Sequence, residues 1–155
     1  MKTYYDITKA LYNHLQSDTD INTVVIGNLD EIDMGKQTMF PLSHIVINNA
    51  SFPRMGLTRF SILVEVMDIV DIEKNSLSEL DADERWKGVD NKQDIFNTQL
   101  AVIEKLIKAL ENGLDIDLDL VDRGTAEPFE AKAENLLAGW DITFTVDIIN
   151  TVQNC

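Results

Sequence analysis

Two segments of the chain repeat apolar residues at the three- and four-residue spacing of an amphipathic helix. The first covers residues 4–16, where Tyr4, Ile7, Leu11 and Leu15 form one apolar stripe. The second follows Asp90 and carries a broad apolar face as far as a glycine stop at residue 113. The pattern therefore predicts one helix near the N-terminus and a longer one in the second half of the chain.

Other segments alternate apolar and polar residues with the period of two that a half-buried strand requires. Short strands are predicted at residues 23–26 and 44–48, the second followed by a reversal at residues 53–56. A third strand begins at Phe60 and continues for roughly 13 residues, about 43 Å at 3.3 Å per residue. The second and third strands form a hairpin long enough to project from a small domain.

The last third of the chain returns to the strand pattern. Residues 114–120 and 140–148 each present one apolar and one polar face. Between them, residues 127–139 are predicted to hold a short helix, with Pro128 in its first turn. We therefore predict a single α+β domain over residues 1–155, with a mainly antiparallel sheet and a long hairpin packed against two helices. The predicted order is α-β-β-β-α-β-β.

Composition agrees with one folded domain. The chain has 155 residues, of which 45% are hydrophobic and 26% charged, enough to bury a core without disulfides or structural metals. No apolar run reaches the roughly 18–20 residues that span a bilayer, and the first residues lack the apolar core of a signal peptide. We expect a protein made in a cytoplasm that does not enter a membrane.

The strong negative charge narrows the choice of partners. A formal net charge of -14 opposes tight non-specific binding to DNA or RNA. An acidic surface instead suits docking to a basic partner, lining a passage through which DNA slides, or solubility alone.

No residue pattern indicates catalysis or metal binding. Asp115, Asp117 and Asp119 alternate like the start of a calcium loop, but Leu120 stands where that loop needs glycine. The two histidines, at positions 14 and 44, lack zinc-ligand spacing, and Cys155 is the single cysteine. We predict no catalytic, cofactor-binding or metal-binding residues, no cofactor and no enzymatic activity.

The element order resembles that of the tail terminator (tail completion) proteins of long-tailed bacteriophages. Two segments carry the resemblance: residues 60–68, FSILVEVMD, are similar to the long central strand of that family, and residues 138–146, AGWDITFTV, to its last strand. The resemblance implies a virion protein of the tail or neck, assembled in the host cytoplasm. It would form a six-membered ring that caps the tail tube, halts polymerisation and joins the tube to the head connector or stopper. DNA would pass through the lumen without specific binding.

Within this resemblance, four residues are candidate contacts to neighbouring subunits or to the tube. Phe52, Arg54 and Met55 lie at the predicted hairpin reversal, and Trp86 lies in the 17-residue polar loop at 74–90. Each also suits an ordinary turn or core role. Residues 29–37 and 122–138 are more elaborate than a minimal family member needs.

Three other functions remain open from sequence. A related neck or head-completion ring protein would use a similar subunit. An acidic binding module, such as a DNA-mimicking inhibitor, would explain the charge directly. A small enzyme on a ferredoxin-like sheet ranks behind both, because no catalytic residue can be named.

Overall fold

The computed structural model describes residues 3–27, 39–71, 77–130 and 136–150. Its helices and strands, in chain order, are α1 (Thr3–Ser17), β1 (Thr23–Ile26), β2 (Leu42–Arg54), β3 (Leu57–Ile69), α2 (Lys92–Glu111), β4 (Leu118–Asp122), β5 (Ala126–Glu130) and β6 (Leu137–Ile149). Two short 3₁₀ turns, Leu77–Glu79 and Arg85–Lys87, precede α2. The predicted loop at 29–37, the first part of the loop at 74–90 and Cys155 lie outside the described residues.

The sheet runs in the order β1-β2-β3-β6-β4, and β5 also pairs with β6. Only the β1–β2 pairing is parallel. The β3–β6 ladder has thirteen consecutive pairs, from Leu57 opposite Ile149 to Ile69 opposite Leu137. The predicted α+β fold with two helices and a long antiparallel hairpin is confirmed.

The main core lies between the two helices and one face of the sheet. Alternate residues of β3, from Phe60 to Val66, are buried there together with alternate residues of β6. The helices contribute the stripes that their spacing predicted, including Leu11 of α1 and Leu106 of α2, both fully buried. Each such side chain stabilises the fold by about 1.5–3 kcal/mol relative to exposure. The core therefore fixes which face of each strand points inward.

The residues of β3 between these core positions point to the face of the sheet away from the helices. A second, smaller hydrophobic cluster lies on that face. Its buried members are Phe40, Leu42, Met67, Phe129 and Leu137. They cover the end of the sheet at which Ile69 pairs with Leu137. The remainder of this face, called the open face below, carries mostly polar side chains, with Leu63 and Val46 as apolar exceptions.

The predicted short helix at 127–139 is wrong in its described part. Ala126–Glu130 is a strand, β5, which pairs with β6 from Ala126 opposite Ile142 to Glu130 opposite Ala138. An isolated short helix is marginally stable, whereas the strand gains backbone partners and buries Phe129 in the second cluster. Pro128, which has no N–H to donate, is tolerated because β5 is an edge strand. Residues 131–135 lie outside the described part.

The strand predicted to begin at residue 114 begins instead at Leu118. Gly113, Leu114 and Asp115 all have positive φ angles, of 87°, 47° and 60°. This left-handed run turns the chain sharply after α2 and is incompatible with a strand. Asp115 and Asp117 therefore lie in a turn, while Asp119 lies in β4.

The close approach of β6 to β3 generates a stability prediction. A Cβ atom at Gly139 would lie 1.9 Å from the carbonyl oxygen of Val66 and 2.8 Å from the Cα of Met67. We expect Gly139→Ala to lower the free energy of unfolding by about 3 kcal/mol or more, because backbone atoms must move to admit the methyl group. Denaturant titration followed by circular dichroism would measure the loss.

The control is Thr143→Ala, an exposed position on the same strand, which should cost under about 1 kcal/mol. Equal losses for the two variants would contradict the close approach at Gly139.

Candidate assembly surfaces

The outer half of the β2–β3 hairpin is an exposed arm, defined here as residues 48–56. One edge of β2 pairs with β3 as far as Arg54. On its other edge, β1 pairs only over Leu42–Ile45, and no other described strand continues that pairing. All nine arm residues are exposed. An unpaired strand edge of this kind offers backbone hydrogen-bonding groups to another chain.

The arm brings together three of the four residues predicted from sequence as contacts. Phe52, Arg54 and Met55 lie at its tip, with Phe52 73% and Met55 93% exposed. These side chains therefore have no core role in the described structure. The hairpin does not project beyond the sheet, because Leu57 next to its turn pairs with Ile149 of β6, but large apolar side chains held in solvent at a sheet edge are typical of an interaction surface.

The arm is also the centre of an acid-free segment. Residues 34–64 contain no Asp or Glu and have a formal charge of +3, from Lys36, Arg54 and Arg59, whereas the other residues sum to -17. Arg59 is paired with Asp147 through two hydrogen bonds of 2.7 and 2.8 Å. Arg54 has no ion pair or hydrogen bond within the described part of the chain. The tip thus combines apolar surface with one unpaired positive charge.

Trp86, the fourth predicted residue, lies at the opposite end of the sheet. It is 72% exposed, and its ring centroid lies 5.8 Å from the ammonium of Lys87. Lys87 approaches Asp94 at 3.9 Å, and Asn91 beside it donates a hydrogen bond to the carbonyl of Ile69. Because β3 is 13 residues long, about 40 Å separates its ends. The structure therefore divides the four predicted residues between two surfaces.

The open face carries a row of titratable groups that sequence reasoning missed. The pairing register aligns His44 of β2, Glu65 of β3, Asp141 of β6 and Glu127 of β5 across the sheet. Like charges directly opposite each other destabilise a sheet. We call these four residues the row. The repulsion between its carboxylates destabilises the fold.

His44 partly compensates the row. Its Nδ1 lies 3.6 Å from Oε2 of Glu65, and its Nε2 is hydrogen-bonded to the carbonyl oxygen of Gly27. Burial lowers the pKa of His44, but the contacts with Glu65 and the Gly27 carbonyl outweigh it, so the pKa is raised. Folding therefore favours the protonated imidazole more than the unfolded chain does.

A groove lies between α1 and the turn that follows α2. It consists of two adjoining cavities of about 470 and 430 Å³ that share Asp6, Asp115 and Ile116. His14 lines the larger cavity, and Asp117 and Ile149 line the smaller one. We call this feature the acidic groove.

Two polar atoms in the walls of the acidic groove lack partners. Oδ2 of Asp6 and Nε2 of His14 are buried and make no hydrogen bond within the described chain. Burial lowers the pKa of His14, and Lys105 lowers it further, despite the opposing charge of Asp18. Buried polar groups are normally hydrogen-bonded, so the groove has unused hydrogen-bonding capacity.

The described residues contain no group of three or more His, Cys, Asp or Glu side chains placed to hold a metal ion. None of the described helices combines the length and apolar character needed to cross a membrane. Neither a scan against protein-family models nor a search of curated proteins finds a match to this chain.

The two histidines predict opposite pH dependences of stability. The raised pKa of His44 means that its contribution is fully present below the unfolded pKa of about 6.5 and is lost as pH rises through the higher folded value. We therefore expect the free energy of unfolding of the wild type to exceed that of His44→Gln most at low pH. The difference should shrink as pH rises above about 6.5.

His14→Gln is the matched control. The pKa of His14 is lowered, so its contribution to stability is present above about pH 6.5 and is lost as pH falls. Denaturant unfolding from about pH 5.5 to 8 would compare the two variants with the wild type. If the free energies of unfolding of the two variants, relative to the wild type, changed with pH in the same direction, the environments described for His14 and His44 would be contradicted.

Proposed function

We propose that this protein is a structural subunit of a long-tailed bacteriophage virion. In this proposal six copies form a ring that caps the tail tube, stops its polymerisation and joins it to the head connector, with DNA passing through the lumen. The ring would be assembled in the host cytoplasm and remain in the neck of the virion. The observation that carries the proposal is the presence of two exposed aromatic surfaces at opposite ends of one long sheet.

Two separated surfaces suit a subunit that must contact more than one partner. The arm tip and Trp86 lie about 40 Å apart along β3, so one partner cannot easily cover both. A joining ring needs contacts between subunits and contacts to the tube and to the connector. The resemblance in element order supports the same role, since the confirmed fold has the predicted α+β arrangement.

The charge distribution supports passage of DNA. Glu65, Asp141 and Glu127 follow one another across three strands on the open face. If that face lines the lumen, its carboxylates repel the phosphate backbone and keep DNA from adhering.

An acidic module that captures a basic protein is the second candidate. The carboxylate row favours it, because three acids in line on one face resemble a phosphate strand. Against it, the row ends in His44, and the exposed arm has a positive formal charge. A related neck or head-completion ring protein stays open as well and differs in which partner it binds.

The first test is the mass of the purified protein in solution. We expect light scattering across a concentration series to show a species larger than the monomer, and negative-stain images to show rings with a central hole. Added tail tubes should bind the protein at one end and stop growing. A monomer that leaves tube length and tube ends unchanged would reject the proposal in favour of the acidic module.

Trp86→Ala tests the second surface. We expect this variant to keep the wild-type assembly mass but to bind tubes or connectors at least roughly tenfold more weakly, because an exposed tryptophan anchor is lost. Binding is measured by co-sedimentation with purified tubes and, separately, with purified connectors.

Tyr12→Ala is the control, because Tyr12 is an exposed aromatic on α1 away from the Trp86 end. Undiminished binding of Trp86→Ala to both partners would exclude Trp86 from either interface.

A further inference from the structure

We propose that the arm of one copy docks in the acidic groove of a second copy. The contact is head-to-tail, with Phe52, Arg54 and Met55 of one chain meeting Asp6, Asp117 and Ile149 of the next. This inference deepens the proposed ring function and rests on it, because it names the surfaces that hold neighbouring subunits together.

Charge complementarity selects the groove as the place where the arm docks. The arm contains no acidic residue and one charged side chain, Arg54, which has no ion pair within the described chain. Three carboxylates, those of Asp6, Asp115 and Asp117, line the groove against one ammonium, that of Lys9, so the groove is acidic on balance. Opposite potentials orient two copies on approach and disfavour contact between like surfaces. Two grooves, each lined mainly by carboxylates, would repel each other.

Unused hydrogen-bonding capacity points to the same occupant. Arg54 has no partner within the described chain, and its guanidinium only donates hydrogen bonds. Oδ2 of Asp6 is a buried acceptor without a donor. The lowered pKa of His14 keeps its ring neutral near pH 7, so one ring nitrogen can accept. Because these two atoms are shielded from solvent, an arriving guanidinium first meets the exposed carboxylates of Asp115 and Asp117 in the same groove.

Apolar surface matches as well. Phe52 and Met55 expose most of their side chains, and Ile149, which lines the groove, is half exposed. Ile116 lines both cavities. A contact that covers these side chains removes apolar surface from water on both copies.

The position of the two surfaces suits a ring. Leu57 at the base of the arm pairs with Ile149, which lines the groove, so both surfaces lie at the same end of the sheet. The arm belongs to the β2 side and the groove to the β4 side, with β3 and β6 between them. Copies related by rotation about a ring axis keep their height, so an arm meets a neighbouring groove at the same level. Two different patches in contact make a heterologous interface, which closes into a ring when the rotation allows.

Charge reversal on each side tests the contact. We expect Arg54→Glu and Asp117→Arg each to raise the dissociation constant for self-association at least roughly tenfold, because each introduces a like-charge contact. The double variant, R54E with D117R, should recover most of the association. Sedimentation velocity over a concentration series measures all three against the wild type. Asp115 is left unchanged, since its φ of 60° strains most replacements.

Arg123→Glu is the matched control. It makes the same change in net charge as Arg54→Glu, at a site outside both surfaces, where Arg123 pairs with Glu111 at 2.6 Å. This variant should associate like the wild type. Circular dichroism melting of every variant separates loss of contact from loss of fold.

The outcomes separate the contact from the function. Recovery in the double variant supports the arm–groove contact. If the wild type self-associates and Arg54→Glu does so equally well, the arm–groove contact is rejected. If rings still cap tubes in that case, the proposed function is kept. A wild type that stays monomeric at every concentration also rejects the contact, and a failure to bind tube ends then rejects the function too.

Discussion

The uninterrupted ladder between β3 and β6 is the constraint on which the rest of the structure depends. Its thirteen residue pairs follow one another without a change of register. A slip of the register by one residue would turn every core side chain of a strand to the opposite face. At Gly139 the two strands come so close that no side chain fits between them. The ladder thereby holds Phe60 and its neighbours against the helices, and it fixes the distance between the arm and Trp86.

The strands on the two sides of this ladder cover it to different extents, and this difference creates the exposed surfaces. On one side, β1 covers only the first four residues of β2, so the remainder of β2, including the arm, is left as an uncovered sheet edge. On the other side, β4 and β5 follow one another along β6. The turn before β4 approaches α1 and creates the acidic groove. A strand edge on one side and a groove on the other make the two sides of the subunit different, as a head-to-tail assembly requires.

Sequence periodicity predicted the elements whose burial is set locally, namely both helices and the long strands β3 and β6. It failed at β5, because helix capping at Pro128 is a local signal, whereas pairing with β6 and burial of Phe129 depend on distant residues. It predicted the arm tip from the reversal at 53–56. The separation of Trp86 from the tip, and the meeting of Asp6 with Asp115 in one groove, depend on how the strands and helices are placed in space, which periodicity does not encode.

Self-association of a chain with a net charge of -14 must overcome repulsion between copies. That repulsion acts over a Debye length of about 8–10 Å at physiological salt, so it is largely screened until the surfaces nearly touch. A contact of the arm tip with the groove is shorter in range and partly shielded from solvent, so salt weakens it less. Two copies therefore repel each other in general but attract each other when the acid-free arm of one approaches the acidic groove of the other. The same acids that oppose other approaches also oppose adhesion of DNA, so one charge distribution can serve both assembly and passage.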